Sequence, residues 1–204
     1  RVLEVKKIVI ASSNNHKISE ISSQINSYFN SILSLSDFPQ IGEIIEDGTT
    51  IEENSFIKSR VAFNHTKLPA VADDTILEVD YLNGDPGLFT ARYAGKNASY
   101  LENMNKLLKN LSGIDKKNRT ARFKTVISYV DGKNDFHVEG VLEGRILESM
   151  TGSNGFGYDP IFYCSSHHMS LAQMTESMKN EISHRAIAIR KFVNKIKLIL
   201  NEED

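Results

Sequence analysis

The sequence predicts an α/β fold built on a mixed sheet. Short apolar runs of strand length are separated by stripes of helical period. Two consecutive segments in the second half alternate at the two-residue period of antiparallel strands. Helices and strands also mix without the strict alternation of a doubly wound sheet.

The elements follow in order. Lys7 to Ala11 (KIVIA) is an apolar run that reads as a buried strand. It breaks at Ser12-Ser13-Asn14-Asn15, a polar turn cluster. Ile18, Ile21 and Ile25 then recur at helical spacing, with Tyr28 or Phe29 closing the stripe. Residues 50–67 read as a second helix with Ile51, Ile57 and Val61 inward. Ala70-Val71-Ala72 is a short buried strand running into Asp73-Asp74, and Ile76 to Val79 continues extended. Asn83-Gly84-Asp85-Pro86-Gly87 is a turn. Residues 99–111 form a third helix with Leu101, Met104, Leu108 and Leu111 on one face. Arg122 to Val130 and Phe136 to Leu147 alternate as antiparallel strands. Thr151 to Gly157 is a glycine-rich loop. A last helix runs from about Ser183 to Leu200, with Ala186, Ile189, Val193 and Ile196 inward.

The 204 residues suit one domain, whole or in two lobes, with a sizeable core. A net charge of −2 gives no basic excess of the kind nucleic acid attracts. No apolar run approaches the roughly 20 residues of a membrane helix. The single cysteine, Cys164, excludes an internal disulfide and points to a reducing compartment. Arg1-Val2-Leu3-Glu4 does not read as a secretory signal, and the missing Met suggests a trimmed or processed chain. A cytoplasmic monomer or small homo-oligomer is expected.

Chemistry concentrates in four segments. In Ser12-Ser13-Asn14-Asn15-His16-Lys17, a polar loop between strand and helix offers backbone N–H groups and a helix dipole to an anion. Lys17 opposes that dipole, which makes sense beside a phosphate; the alternative is a surface loop with an exposed lysine. In Asp73-Asp74, adjacent carboxylates repel at the edge of a core. They suit a magnesium site with one carboxylate activating water, and equally an acidic turn after a strand. In Gly155-Phe156-Gly157-Tyr158-Asp159-Pro160, glycines leave room for a ligand and an aromatic ring can stack on a base; packing of the aromatics on the core competes, more so for Tyr158. The fourth segment is Lys179 with Ser183-His184-Arg185, donors that crowd a helix start where Ser183 alone would serve as a cap.

Weaker signals surround these. Glu43, Glu46 and Asp47 are metal ligands or an acidic loop, and Lys58 and Arg60 reach phosphate or solvent. Cys164, His167 and His168 lack a second pair at zinc spacing, which argues against a zinc site. No G-x-x-x-x-G-K-[ST] loop exists, which argues against a kinase or GTPase.

Five stretches in order carry a family resemblance: IVIASSNNHK (8–17), DGTTIEENSFIKSR (47–60), ADDTILEVDYLNGDPGLFTARYAG (72–95), GSNGFGYDPIF (152–162) and MKNEISHRAIA (178–188). The chain resembles the inosine triphosphate pyrophosphatases, which act on non-standard purine nucleoside triphosphates. The resemblance implies one domain over residues 1–204, as two α/β lobes with the active site in the cleft between, and a homodimer. It implies hydrolysis of ITP, dITP or XTP to the monophosphate and pyrophosphate with Mg2+, without nucleic acid or membrane partners. By that resemblance Ser12, Ser13, Asn14, Asn15, His16 and Lys17 bind triphosphate and Lys58 faces it. Asp74 is proton acceptor and metal ligand, joined at the metal by Asp73 and Glu46. Thr75 stands where a serine usually touches substrate. Phe156, Gly157, Tyr158, Asp159, Lys179, His184 and Arg185 form the base-binding set. Ser13 and Ile76 replace usual glycines, which bears on turnover if the backbone there needs positive φ. A pyrimidine-directed pyrophosphatase and a nucleotide-binding regulator without catalysis are the rival functions.

Overall fold

A computed structural model describes residues 6–202; Arg1 to Glu4, read above as no signal, lies outside them. In chain order the elements are β1 (Lys7–Ile10), α1 (Asn15–Ile25), β2 (Ser31–Ser34), α2 (Ile51–Thr66), β3 (Ala70–Val79), β4 (Pro86–Gly87), α3 (Tyr100–Asn110), β5 (Thr120–Val130), β6 (Asp135–Ile146), β7 (Phe162–Cys164), β8 (Met169–Ser170), α4 (Glu176–Ile182) and α5 (His184–Glu202). Two compact units are built from them. Within the described residues the first comprises 6–74, 125–140 and 187–202, and the second comprises Thr75–Lys124 and Val141–Ala186. The long strands β3, β5 and β6 each supply residues to both.

In the first unit β1 pairs in parallel with β2 (Lys7 opposite Ser31) and with β3 (Val9 opposite Ala70). Such strands are covered on both faces, which is why KIVIA reads as a continuous apolar run. Successive side chains point to opposite faces. Ile8 and Ile10 join Ile21 and Ile25 of α1 and Ile189, Phe192 and Ile196 of α5, with Phe29 added from beyond the end of α1. Val9 and Ala11 meet Ala62 of α2 with Ala70 and Ala72 of β3.

The inward face of α2 departs from the expectation. Val61 is exposed and Ile57 only half-buried, whereas Ile51, Asn54, Ser55, Lys58, Ser59 and Ala62 are buried. Small residues let this helix lie close to the strands, and the serine hydroxyls find partners there, so burial follows hydrogen bonding rather than apolarity.

In the second unit β4 pairs antiparallel with β3 (Leu77 opposite Gly87), β6 with β7 (Ile146 opposite Phe162) and β7 with β8 (Tyr163 opposite Ser170). Parallel and antiparallel pairings therefore make the mixed sheet that was expected. The core gathers Leu77, Val79, Met104, Leu107, Leu111, Phe123, Ile146, Tyr158, Ile161 and Phe162. Leu101 is not on the buried face of α3; it lies in the first turn, 54% exposed, and Leu107 takes the inward place. Ser99 and Glu102 cap that helix reciprocally. Arg119 is buried and donates from Nε to Ile146 O (2.8 Å), from Nη1 to Leu111 O (2.6 Å) and from Nη2 to Leu147 O (2.6 Å). It ties the end of α3 to the end of β6. Among the described residues no helix is long and apolar enough to cross a membrane.

Candidate active site

Two clusters of functional side chains form, one in each unit. The first begins at the loop after β1. Asn14 is the N-cap of α1: its Oδ1 accepts from His16 N (3.0 Å) and Lys17 N (3.3 Å), and its own N–H donates to Ser12 Oγ (3.1 Å). These amides, expected to await an anion, are held by the loop's own side chains. Ser13, Asn15 and His16 are exposed. Ser13 is not among the residues with positive φ, nor is Ile76, so neither replacement of glycine strains the backbone.

Asp73 and Asp74 lie inside β3 rather than in a turn after it. Strand alternation sends them to opposite faces, and a different lysine meets each. Lys17 Nζ stands 3.1 Å from Asp73 Oδ2, whose side chain is fully buried. Lys58 Nζ stands 2.9 Å from Glu46 Oε2 and 3.4 Å from Asp74 Oδ1. Burial raises the Asp74 carboxyl above its ordinary range. Lys58 and Lys17 pull it down, Glu46 and Asp73 push it up, and the net direction is upward. Burial works against the Lys58 ammonium, but Asp74, Glu46 and Asp73 together raise it. The cluster thus holds a carboxylate that is a stronger base than usual beside an ammonium that stays charged.

Asn54, which sequence reasoning missed, holds the acidic loop: its Oδ1 accepts from Gly48 N at 2.8 Å. A Cβ on Gly48 would sit 2.7 Å from that same oxygen, so the loop following Glu46 closes on α2 only with glycine there. Glu53, accepting from Thr49 N at 2.7 Å, and Thr50, capping α2 by accepting from Glu53 N, complete the clamp. The pattern T-x-x-E before a helix was the available signal. Arg60 points away to Asp135 and covers the ring of Phe56.

The second cluster centres on Asp159 and Lys179. Lys179 Nζ lies 2.7 Å from Asp159 Oδ2, which also accepts from Phe156 N at 2.9 Å. Gly155 has φ +74°, and a Cβ there would run into Asp159 Oδ2, so the loop needs glycine at this position. Lys179 Nζ and Arg185 Cζ lie 4.7 and 5.5 Å from the Phe156 ring centroid. Tyr100, also missed, lies 6.1 Å from Phe156 at a tilt. Arg185 is buried and donates from Nη2 to Thr75 Oγ1 at 3.2 Å. His184 stacks on Phe123, with centroids 4.5 Å apart. Lys179 sits on α4, a helix the sequence did not reveal, and Ser183 caps α5 by accepting from Ala186 N. Tyr158 belongs to the core: it is buried, its hydroxyl donates to Thr90 O at 2.8 Å, and burial pushes its phenol upward. Gly157 is half-buried beside it. Cys164 is buried, its sulfur 3.2 Å from Ser166 Oγ.

The Ham1 family model matches residues 8–195, which spans both clusters. The chain belongs to the Ham1 family. It is 46% identical over 197 residues to the dITP/XTP pyrophosphatase of Thermoanaerobacter pseudethanolicus, covering 97% of this chain and all of that one. It is 45% identical to the dITP/XTP pyrophosphatase of Lactiplantibacillus plantarum, over 92% of this chain and 93% of that one. Among solved Ham1 structures, the Coxiella burnetii HAM1 protein superposes with a TM-score of 0.85 at 38% identity, covering 94% of this chain and 98% of that one. The Staphylococcus aureus Ham1 protein gives 0.83 at 37% identity, covering 98% and 100%.

Proposed function

We propose that this Ham1 protein hydrolyses non-standard purine nucleoside triphosphates, ITP, dITP and XTP, to the nucleoside monophosphate and pyrophosphate. The observation that carries the reading is Asp74, a carboxylate raised by burial and set beside the Lys58 ammonium. Near-identical length and high identity to two dITP/XTP pyrophosphatases support it.

The first cluster is assigned to the triphosphate. Its acidic members, Glu46, Asp73 and Asp74, are hard oxygen donors of the kind magnesium takes. Glu46 and Asp74, which meet at Lys58, would hold the ion with phosphate and water, since Mg2+ is usually held by one or two carboxylates. When bound, the ion supplies positive charge against the phosphate oxygens. The protein's own residues supply the rest. Asp74 accepts the proton of a water aligned on the α-phosphorus. The P–O bond to the β-phosphate breaks, and pyrophosphate leaves with its charge met by Lys17, Lys58 and the Ser12–Lys17 loop. Lys17 and Lys58 neutralise carboxylates in the free protein and phosphate oxygens in the substrate complex. Asn14 releases the amides of His16 and Lys17 to the phosphates by a side-chain rotation.

The second cluster is assigned to the base. Phe156 offers a ring face, and Lys179, His184 and Arg185 offer donors to the 6-oxo group of hypoxanthine or xanthine. Adenine presents a donor at that position, which leaves buried donors unpaired at about 1–3 kcal/mol each. Thr75, which accepts from Arg185, directly follows Asp74 in the chain. Tyr158 and Gly157 stay with the base-binding loop, which Tyr158 anchors to the core through Thr90 O. We place the protein in the cytoplasm, as a homodimer acting on free nucleotides.

Steady-state pyrophosphate release in magnesium from ITP, XTP, GTP, ATP and dTTP tests the reading. ITP and XTP are expected to exceed ATP in kcat/KM by at least about tenfold, one unpaired donor's worth. ATP turned over as fast as ITP would overturn the donor argument, and dTTP preferred over both would overturn the purine assignment.

A further inference from the structure

The contact of α2 with β3 and β5 holds three buried hydroxyls, Ser55 and Ser59 on α2 and Ser128 on β5, where methyl groups would pack more simply. Ser55, Ser59 and Ser128 are all buried to within 0% exposure. Ser55 Oγ lies 3.0 Å from Ala72 O, 3.3 Å from Val126 O and 2.9 Å from Ser128 Oγ, and it accepts from Ser128 N at 3.1 Å. Ser59 Oγ lies 2.9 Å from Ser128 Oγ and 3.3 Å from Phe56 O. Each hydroxyl has one hydrogen and two acceptor sites, so the set closes on itself and on backbone without water.

The placement of these groups is what matters. Ser55 is three residues before Lys58 on α2, so the two share a helix face. Ala72 O belongs to the peptide that leads into Asp73 on β3. The hydrogen-bonded path therefore runs from the helix that carries Lys58 to the strand that carries Asp73 and Asp74. Alanine is a better helix former than serine and fills a tight contact as well. Methyl contacts, however, are non-directional and let a helix rotate or slide by small amounts, whereas hydrogen bonds fix its register. The Lys58–Asp74 contact, at 3.4 Å, is a long hydrogen bond within an ion pair. A shift of α2 by about half an ångström would take it out of hydrogen-bond range and leave only the weaker, undirected charge attraction.

We propose that Ser55, acting with Ser59 and Ser128, is a positioning residue that sets the register of α2 on β3 and β5 and so holds Lys58 against Asp74. The proposal rests on the assignment of Lys58 and Asp74 to phosphate hydrolysis. Ser55 touches no reacting atom; it acts through Lys58.

Ser55→Ala and the milder Ser59→Ala are compared with Ile25→Val, a core truncation in the same unit, by pyrophosphate release from ITP and by thermal unfolding. Ser55→Ala is expected to lower kcat about tenfold, short of the hundredfold that a 1 Å misplacement costs. KM should change less than kcat, since the charge that Lys58 meets grows as pyrophosphate leaves. Ser59→Ala should give a smaller loss in kcat, and Ile25→Val none, at temperatures where all are folded. In a Lys58→Met background the Ser55→Ala effect should vanish, because the residue it positions is gone; an independent packing role would leave the two effects additive. Should Lys58→Met leave no measurable rate, the comparison of Ser55→Ala with Ile25→Val decides alone. Full kcat in Ser55→Ala, an equal kcat loss in Ile25→Val, or additivity with Lys58→Met would overturn the proposal. No pyrophosphate release from any purine nucleoside triphosphate by the unaltered protein would overturn the functional reading instead.

Discussion

Removal of the Lys58 ammonium perturbs both chemistry and stability, and the structure fixes the sign of each effect. In Lys58→Met the aliphatic stem remains and the charge is lost. The side chain is 9% exposed, with Glu46 Oε2 at 2.9 Å and Asp74 Oδ1 at 3.4 Å. Loss of a preorganised group that meets developing charge lowers rates about 10²–10³-fold, and that is the loss in kcat expected here. Lys58 is the largest influence holding the Asp74 carboxyl down. Without it the carboxyl rises further, and the acid limb of the pH–rate profile moves to higher pH. Stability follows by linkage. A carboxyl whose folded pKa lies above its unfolded value penalises the fold when ionised. The penalty is absent below the unfolded pKa, appears as pH climbs from the unfolded to the folded pKa, and is complete above the folded one. The variant should therefore unfold well below the unaltered protein at pH 8 and approach it at pH 4. Breaking a buried pair costs about 3–5 kcal/mol as an upper bound, reduced here because Glu46 is 35% exposed and Asp74 can take up a proton. Pyrophosphate release from ITP between pH 5 and 9 and thermal unfolding between pH 4 and 8 measure both. An acid limb that stays in place or moves to lower pH would refute the reasoning.

Other parts of the molecule give separate expectations. Arg119→Met leaves three carbonyls at the ends of α3 and β6 without their donor, and should lower unfolding free energy in urea by about 3 kcal/mol or more while the folded fraction keeps its kcat. Gly155→Ala sets a Cβ against Asp159 Oδ2 at positive φ, so Asp159 must leave Phe156 N and Lys179; KM for ITP should rise with a smaller change in kcat. Glu102 is lowered by hydrogen bonds from Ser99 N and Oγ. Its support of α3 is present above the unfolded pKa and lost as pH falls through the folded one, so Glu102→Gln should lower the melting temperature at pH 7 and not at pH 3.

Much of this was legible in the residues, because it depended on local pattern. KIVIA reads as a two-sided buried strand, and Ile18, Ile21 and Ile25 mark the helix after it. The α2 face was misread because apolar spacing picked out Ile57 and Val61. The true inward face is Ser55, Ser59 and Ala62: both serine hydroxyls bond to Ser128, more than 60 positions away, and Ala62 packs on the strands. Leu101 fits the stripe of α3 but falls in its first turn, where the helix leaves the core. Helix α4 is seven residues with little apolar period, too short to announce itself. In the site, Lys17, Lys58, Asp73 and Asp74 stood out as residue types. Which lysine meets which carboxylate did not, because those pairs join distant segments. Asn54 and Tyr100 carry no local signal of their parts in holding the acidic loop and flanking Phe156.

The central claim is that Asp74 is the base of the hydrolytic step. Pyrophosphate release from ITP in magnesium by the unaltered protein and by Asp74→Asn, with thermal unfolding recorded for both, tests it most directly. Turnover is expected to be nearly abolished in a variant that still unfolds cooperatively within a few degrees of the unaltered protein. Near-normal turnover in Asp74→Asn would contradict it.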